Sequence, residues 1–233
     1  MRRKAFRLKL PSRTLLLGER TLVMGVLNVT PDSFSDGGQF LDATRAIEHA
    51  LAIESAGADV LDISGLRCDP RVAELAARRS VPLILMHLRG EPRTMQKAGF
   101  AHDVLRDVTK GLRQSVSVAL KAGVAKSQII LDPGIGFGKS FAQNYELLEK
   151  LTQLGKLGYP LLVGSSRKGF LGATLARAGK PAPPEYRIWG TAATVTASIL
   201  HGAHIVRVHE AAEMVEVARV ADCVINPSLR RHL

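Results

Sequence analysis

Residues able to do chemistry recur at one place in this 233-residue chain, the end of a short apolar run. Asn28 ends TLVMGVLN, Asp62 and Ser64 end ADVLDIS, and His87 and Arg89 follow PLILM. Asp132 ends QIILD, Ser165 to Lys168 follow PLLVG, and Arg207 and His209 stand in HIVRVHE. In DPGIGFGK, Pro133 fixes the chain beside Asp132, and three glycines let backbone and Phe137 approach a flat ligand closely. A carboxylate so placed accepts paired hydrogen bonds from an amino-pyrimidine edge; a glycine-rich loop with a capping Asp accounts for the motif equally well. In GSSRKGFLG, Lys168 suits a heterocycle carbonyl or an anion. Arg207 and His209 are two apart, so they share one side of a strand and suit a phosphate or pyrophosphate leaving group. Alone, His209 reads as a satisfied core histidine; beside Arg207 and opposite Lys168 the functional reading gains weight. In NVTPDSFSDGG, Asn28 offers a neutral oxygen to a hard cation, and Asp32, Ser33, Ser35 and Asp36 precede a Gly37-Gly38 hinge. A polar lid over a phosphate and an ordinary capped loop both fit that stretch.

Such residues converge only if the elements carrying them do. Six apolar runs, 21–29, 58–64, 82–88, 128–134, 160–166 and 204–210, are each followed by a polar loop, and most then lead into a segment of helical period. Their continuous hydrophobicity implies strands buried on both faces, as in a parallel sheet covered by helices. Val104, Leu105, Val108, Leu112, Val116 and Leu120 carry one helical stripe, and Leu147, Leu148, Leu151 and Leu154 another. Repeated βα units build either a doubly wound sheet or a barrel. The first strand is followed by NVTPDSFSDGG rather than GxGxxG, and a barrel brings all C-terminal strand ends to one mouth. The expectation is a TIM-type (β/α) barrel in one domain over 1–233, with only six βα units. The preceding FRLKLPSRTLLLGERT reads as a hairpin turning near Pro11-Ser12-Arg13 that plugs the barrel floor.

Composition narrows the classes. Apolar residues make up 46% and charged residues 23%, and no apolar run approaches the roughly 18 residues of a membrane span. The start MRRKAFRLKL has no apolar signal core, so a cytoplasmic protein is expected. Cys68 and Cys223 show no metal or disulfide spacing and read as reduced thiols. The formal charge of +11 is scattered without interleaved aromatics, so a small anionic substrate explains it as well as nucleic acid does, and a solvated basic surface most simply.

The stretches MGVLNVTPDSFSDGG, LMHLRGEPRTMQ, LDPGIGFGK, GSSRKGFLG and GTAATVTASILHGAHIVRVHE together resemble the dihydropteroate synthase family, the folate-pathway enzymes targeted by sulfonamides. The resemblance runs from the hairpin to the last helix. It implies a (β/α)8 barrel joining 6-hydroxymethyl-7,8-dihydropterin pyrophosphate to p-aminobenzoate with Mg²⁺ assistance. It further implies that Asp132 and Lys168 hold the pterin ring, that Met86 and Phe137 line its slot, and that Arg207 stacks near it. Asn28 would bind the magnesium-pyrophosphate with Arg207 and His209, and Ser166 and Lys168 would border the p-aminobenzoate site. A homodimer through the late helices is implied as well. The alternative within the same resemblance is an impaired or non-catalytic pterin-binding paralogue. A metal-dependent hydrolase using His87, Asp132 and His209 ranks lower, because no HxH pair accompanies them.

One stretch departs from the family pattern. GADVLDISGLR, from Gly57 to Arg67, matches both the second and the fourth strands of the family, and the material between them is missing. That material, containing a GGESTRPG-like loop and an IDT-like strand end, amounts to two βα units. This is on the order of 60 residues when ~250 are shared among eight units. Aligned on the fourth strand, Leu61 stands where the family has a pterin-contacting Asn; aligned on the second, Leu61 is ordinary core. The chain therefore reads as carrying an internal deletion after Asp62. Six strands cannot close with eight-strand geometry, since strand number, tilt and stagger are linked.

Overall fold

The structure, a computed structural model, describes residues 3–10, 13–28, 51–52, 54–64, 71–89 and 99–232. The hairpin comes first: β1 (Phe6–Lys9) and β2 (Thr14–Leu17) pair antiparallel, Phe6 with Leu17 and Lys9 with Thr14. Its expected turn residues Pro11 and Ser12 lie outside the described residues. Leu8 and Leu17 are buried and pack against Leu22, Met24, Ile130, Leu162 and Ile205, so the hairpin does plug the floor.

Among the described residues six strands follow: β3 (Leu22–Asn28), β4 (Val60–Ser64), β5 (Leu83–Met86), β6 (Ile129–Asp132), β7 (Leu162–Val163) and β8 (Ile205–Val208). Each is shorter than its apolar run by two residues or more. The run 160–166 shrinks furthest, where Gly164 and the Ser165–Lys168 turn stop β7. All ladders among these strands are parallel. β3 lies between β4, with Gly25 opposite Leu61 and Asn28 opposite Ser64, and β8, with Leu22 opposite Ile205. β7 pairs with β8, β5 with β6, and a parallel bridge from Leu131 to Leu161 joins the two groups. The resulting order is β5-β6-β7-β8-β3-β4. The first parallel strand lies beside the last, which is the winding of a barrel; a doubly wound sheet would put its first strand at a switch point inside the sheet. Among the described residues no ladder joins β4 to β5, so the ring is open there. β4 lies beside β3, where the second strand of a barrel stands.

Helices α1 (Arg71–Arg79), α2 (Val104–Lys121), α3 (Phe141–Glu149), α4 (Leu151–Gly155), α5 (Gly169–Thr174), α6 (Ile188–Leu200) and α7 (Ala211–Ile225) cover the strands. α2 turns Val104, Val108, Leu112 and Ala119 inward, and Asp103 caps it by accepting from the Arg106 N–H at 2.9 Å. The leucine stripe through Leu154 is shared by α3 and α4, which meet at Lys150 and keep Leu147, Leu148, Leu151 and Leu154 buried. Ser140 and Gln143 form a reciprocal capping box at the start of α3. The last helix is tied to the residues just before β1 and β3 through Asp222. Its carboxylate accepts from the Thr21 N–H at 2.5 Å and pairs with Arg3 at 2.5 Å, with both charged side chains almost fully buried. Among the described residues no helix is long and apolar enough to cross a membrane. Cys223 is a free thiol, and Cys68 lies outside the described residues.

Candidate active site at the strand ends

Asp132 ends β6 and is 1% exposed. Its Oδ1 accepts from the Gly134 N–H at 2.7 Å, which bends the chain straight after Pro133. Its Oδ2 lies 3.3 Å from Arg207 Nη2 and, though buried, accepts no hydrogen bond. Burial pushes this carboxyl above the usual range, while Arg207, the Gly134 N–H and the charges of Lys168 and Lys139 pull it back. A buried acceptor with one lobe unspent, among cations, is set to take donors from a ligand.

The glycine loop after Asp132 has its shape for steric reasons. A Cβ at Gly134 would sit 1.9 Å from the His87 carbonyl oxygen, and one at Gly138 would sit 2.2 Å from that of Arg89. Only bare backbone lets the loop lie on the end of β5. Inside it, the Gly136 N–H donates to Asn144 Oδ1 at 2.6 Å. Phe137 faces Lys168, whose Nζ lies 3.9 Å from the ring centroid. Desolvation, followed by repulsion from Arg207, lowers Lys168 to about 8. The Lys168 stem runs over Gly136, where a Cβ would meet its Cδ at 3.0 Å. Gly164 likewise makes room for the Arg207 guanidinium.

Lys168 is delivered by a turn in which Arg167 adopts φ +58, a left-handed conformation unusual for a side-chain-bearing residue. The turn is held by the Arg167 N–H on Thr191 Oγ1 at 3.2 Å and Arg187 on the Arg167 carbonyl at 2.7 Å; the Arg167 guanidinium also pairs with Glu210. Ser166 is buried beside it. Its hydroxyl lies 2.9 Å from His209 Nδ1, accepts from the His209 N–H at 3.2 Å, and reaches Glu210 at 3.3 Å. Burial, then the Arg167 charge, depresses His209 below its ordinary value.

Two adjoining clusters therefore gather most of the expected residues. Asp132, Phe137, Lys168 and Arg207 form one; Ser166 and His209 form the other. Met86, half-buried, stands opposite Asp132 in the β5–β6 register. Asn28 ends β3 at the same mouth, but its side chain lies outside the described residues, as do Asp32, Ser33, Ser35 and Asp36. His87 does not join Asp132 and His209: its Nδ1 lies 3.1 Å from Lys139 Nζ and its Nε2 3.6 Å from Asp107. Among the described residues no group of three or more His, Cys, Asp or Glu is placed to hold a metal ion. Lys139, Asn144 and Glu210 were not singled out from the sequence. Lys139 did carry a signal, being the one charge that closes a glycine loop; Asn144 sits mid-helix among polar residues and carried none.

The profile of the family described as "Pterin binding enzyme" matches residues 24–68 and again 62–209. The two matches share residues 62–68, so this short stretch answers to two separate places in the family. The dihydropteroate synthase of Synechocystis sp. is 38% identical, across 89% of this chain and 91% of that protein, and that of Bacillus subtilis is 34% identical, across 89% and 90%. The Synechocystis alignment runs over 268 positions but uses about 207 of the 233 residues here, leaving about 60 positions without a counterpart. Among solved structures, Xanthomonas albilineans dihydropteroate synthase with 4-aminobenzoic acid superposes with a TM-score of 0.83 at 31% identity, covering 95% of this chain and 98% of that one. A Clostridium difficile dihydropteroate synthase solved in the presence of pteroic acid gives 0.78 at 30% identity, covering 89% and 98%.

Proposed function

The chain belongs to the dihydropteroate synthase family of pterin-binding enzymes, and from this premise we propose that its strand-end pocket joins 6-hydroxymethyl-7,8-dihydropterin pyrophosphate to p-aminobenzoate. The observation that carries the assignment to this pocket is Asp132, buried with Oδ2 unspent and lying among Arg207, Lys168 and the glycine loop.

In this reading Asp132 accepts from the amino and ring N–H donors of the pterin, and the Lys168 ammonium donates to its carbonyl. Phe137 and Met86 bound the slot of the flat ring. Arg207 closes one side of the slot and, with His209, faces the pyrophosphate. The carbon–oxygen bond to pyrophosphate breaks with both electrons leaving on the phosphate oxygen, and the positive charge left on the methylene is delocalised into the pterin. The arylamine nitrogen then forms the new carbon–nitrogen bond and releases its proton. The cations Lys168 and Arg207 gather around the pocket, which suits a displacement driven by departure of the leaving group. Ser166, anchored to His209, borders the p-aminobenzoate side together with Lys168.

For a magnesium ion, Asn28 at the end of β3 would be the protein ligand, and the substrate's phosphate oxygens, themselves held by the cations of the site, would supply the anionic donors that the protein does not. When bound, the ion would neutralise charge on the departing pyrophosphate. We further propose a single domain, a homodimer and a cytoplasmic setting.

Isothermal titration with 6-hydroxymethyl-7,8-dihydropterin pyrophosphate and Mg²⁺ tests the site. Saturable binding is expected, weakened at least tenfold or so by Asp132→Asn, which removes the charge but keeps the shape. No binding to the wild-type chain would overturn the proposal. The second reading, a paralogue that binds pterin without turnover, is favoured by the open ring between β4 and β5; it predicts the same titration with no product.

A further inference from the structure

We propose that Lys139 is a positioning residue for pterin recognition, acting through Phe137 and the glycine loop; this rests on the reading of the strand-end pocket as a pterin site. Lys139 is 3% exposed, so its ammonium spends its donors inside the protein. It donates to the Phe137 carbonyl at 2.9 Å, lies 3.1 Å from His87 Nδ1, and reaches the His87 carbonyl at 3.5 Å. One buried cation thus fastens the loop residue that carries the aromatic wall to the end of the neighbouring strand β5.

The surroundings are shaped to keep it there. His87 presents Nδ1 as an acceptor to the ammonium, leaving Nε2–H directed at Asp107 3.6 Å away, and Arg89 holds Asp107 at 3.0 Å. Gly111 on α2 makes room for the imidazole, since a Cβ there would meet His87 Cδ2 at 2.5 Å. The groups facing Lys139 are therefore His87 and Arg89 from β5 and its end, Asp107 from α2, and the charges of Asp132 and Lys168 from the pocket. With the ammonium in place, Phe137 is held under the Lys168 charge and the loop N–H of Gly134 stays on Asp132. Removing it leaves the Phe137 carbonyl and His87 Nδ1 without their partner and frees the loop to rise into the pterin slot.

The test is steady-state kinetics and pterin titration of Lys139→Met, with His87→Leu and His87→Asn as a second pair. Asn keeps an acceptor oxygen near the Nδ1 position; Leu removes it. Lys139→Met is expected to raise KM and Kd for the pterin pyrophosphate about tenfold while the KM for p-aminobenzoate stays within about twofold, a split that general loosening of the fold would not give. His87→Leu should move the pterin constants in the same direction and His87→Asn should restore them. If Lys139→Met gives no folded protein, the His87 pair decides. Unchanged pterin constants in Lys139→Met or in His87→Leu, beside a wild-type protein that binds pterin, would overturn the proposal. A wild-type protein that binds no pterin would instead overturn the reading of the pocket.

Discussion

At the residue scale, the buried histidines show how far environment overrides residue type. His204 is 4% exposed, accepts at Nδ1 from the Leu161 N–H at 3.2 Å and meets the Lys4 carbonyl through Nε2 at 3.0 Å. Each ring nitrogen has one fixed role, so the neutral tautomer is required; desolvation lowers the residue to about 4, and His87 likewise to about 4. Both folded values lie below the unfolded value of about 6.5, so the unfolded chain binds more protons in between, and stability must rise with pH across that window. Denaturant midpoints should be level between about pH 6.5 and 8 and fall toward pH 4, with each histidine contributing on the order of 2–3 kcal/mol. His204→Gln should flatten part of the slope. The sequence exposed Asp132, Lys168, Arg207 and His209 because they stand at strand ends, where a barrel leaves side chains facing ligand. It did not expose Asn144, whose bonds to the Gly136 N–H and the Ser140 carbonyl are made only once the loop has folded onto β5.

At the scale of elements, the loop after β6 and the clasp between the chain's two ends carry the clearest consequences. Gly134 has φ +68 and no room for a Cβ, so Gly134→Ala should cost more than about 2 kcal/mol and abolish pterin binding, read as a lowered melting temperature and a silent titration. Asp222→Ala would strand the buried Arg3 charge and the Thr21 N–H, an expected loss of about 3–5 kcal/mol in chemical denaturation. Strand and helix types were legible from apolar runs and from the 3.6-residue stripe of α2. The strand bounds were not, because run length records burial on both faces while ladder length is cut by the turns that aim the polar residues. Nothing in the periodicity through Leu154 marked the break at Lys150 either, since both halves of that stretch bury the same leucines.

At the scale of the whole molecule, the open side between β4 and β5 shapes the behaviour of the protein. The doubled family match at 62–68 puts the seam at the end of β4, and β4 pairs with β3 as the next strand of the ring. The seam is legible in the sequence because the two joined places share a motif, and for the same reason the sequence does not choose between them. A barrel interior is filled in layers by side chains from alternate strands. A cavity of about 510 Å³ lies at the floor, bordered by Leu8, Leu15, Met24, Ile84, Ile130 and Ile205. Grafting the two missing βα units of a relative between Ser64 and Arg71 should refill that layer and cover both exposed edges. The graft is expected to raise the melting temperature and lower the KM for p-aminobenzoate; a destabilised graft would mean the six-strand frame has repacked around its gap.

The measurement that bears most directly on the proposed activity is pyrophosphate release by the purified chain with 6-hydroxymethyl-7,8-dihydropterin pyrophosphate and Mg²⁺, followed before and after p-aminobenzoate is added. The expected result is release that begins only with the arylamine and matches formation of 7,8-dihydropteroate one for one. No release with both substrates present, or release that p-aminobenzoate leaves unchanged and that yields no dihydropteroate, would contradict it.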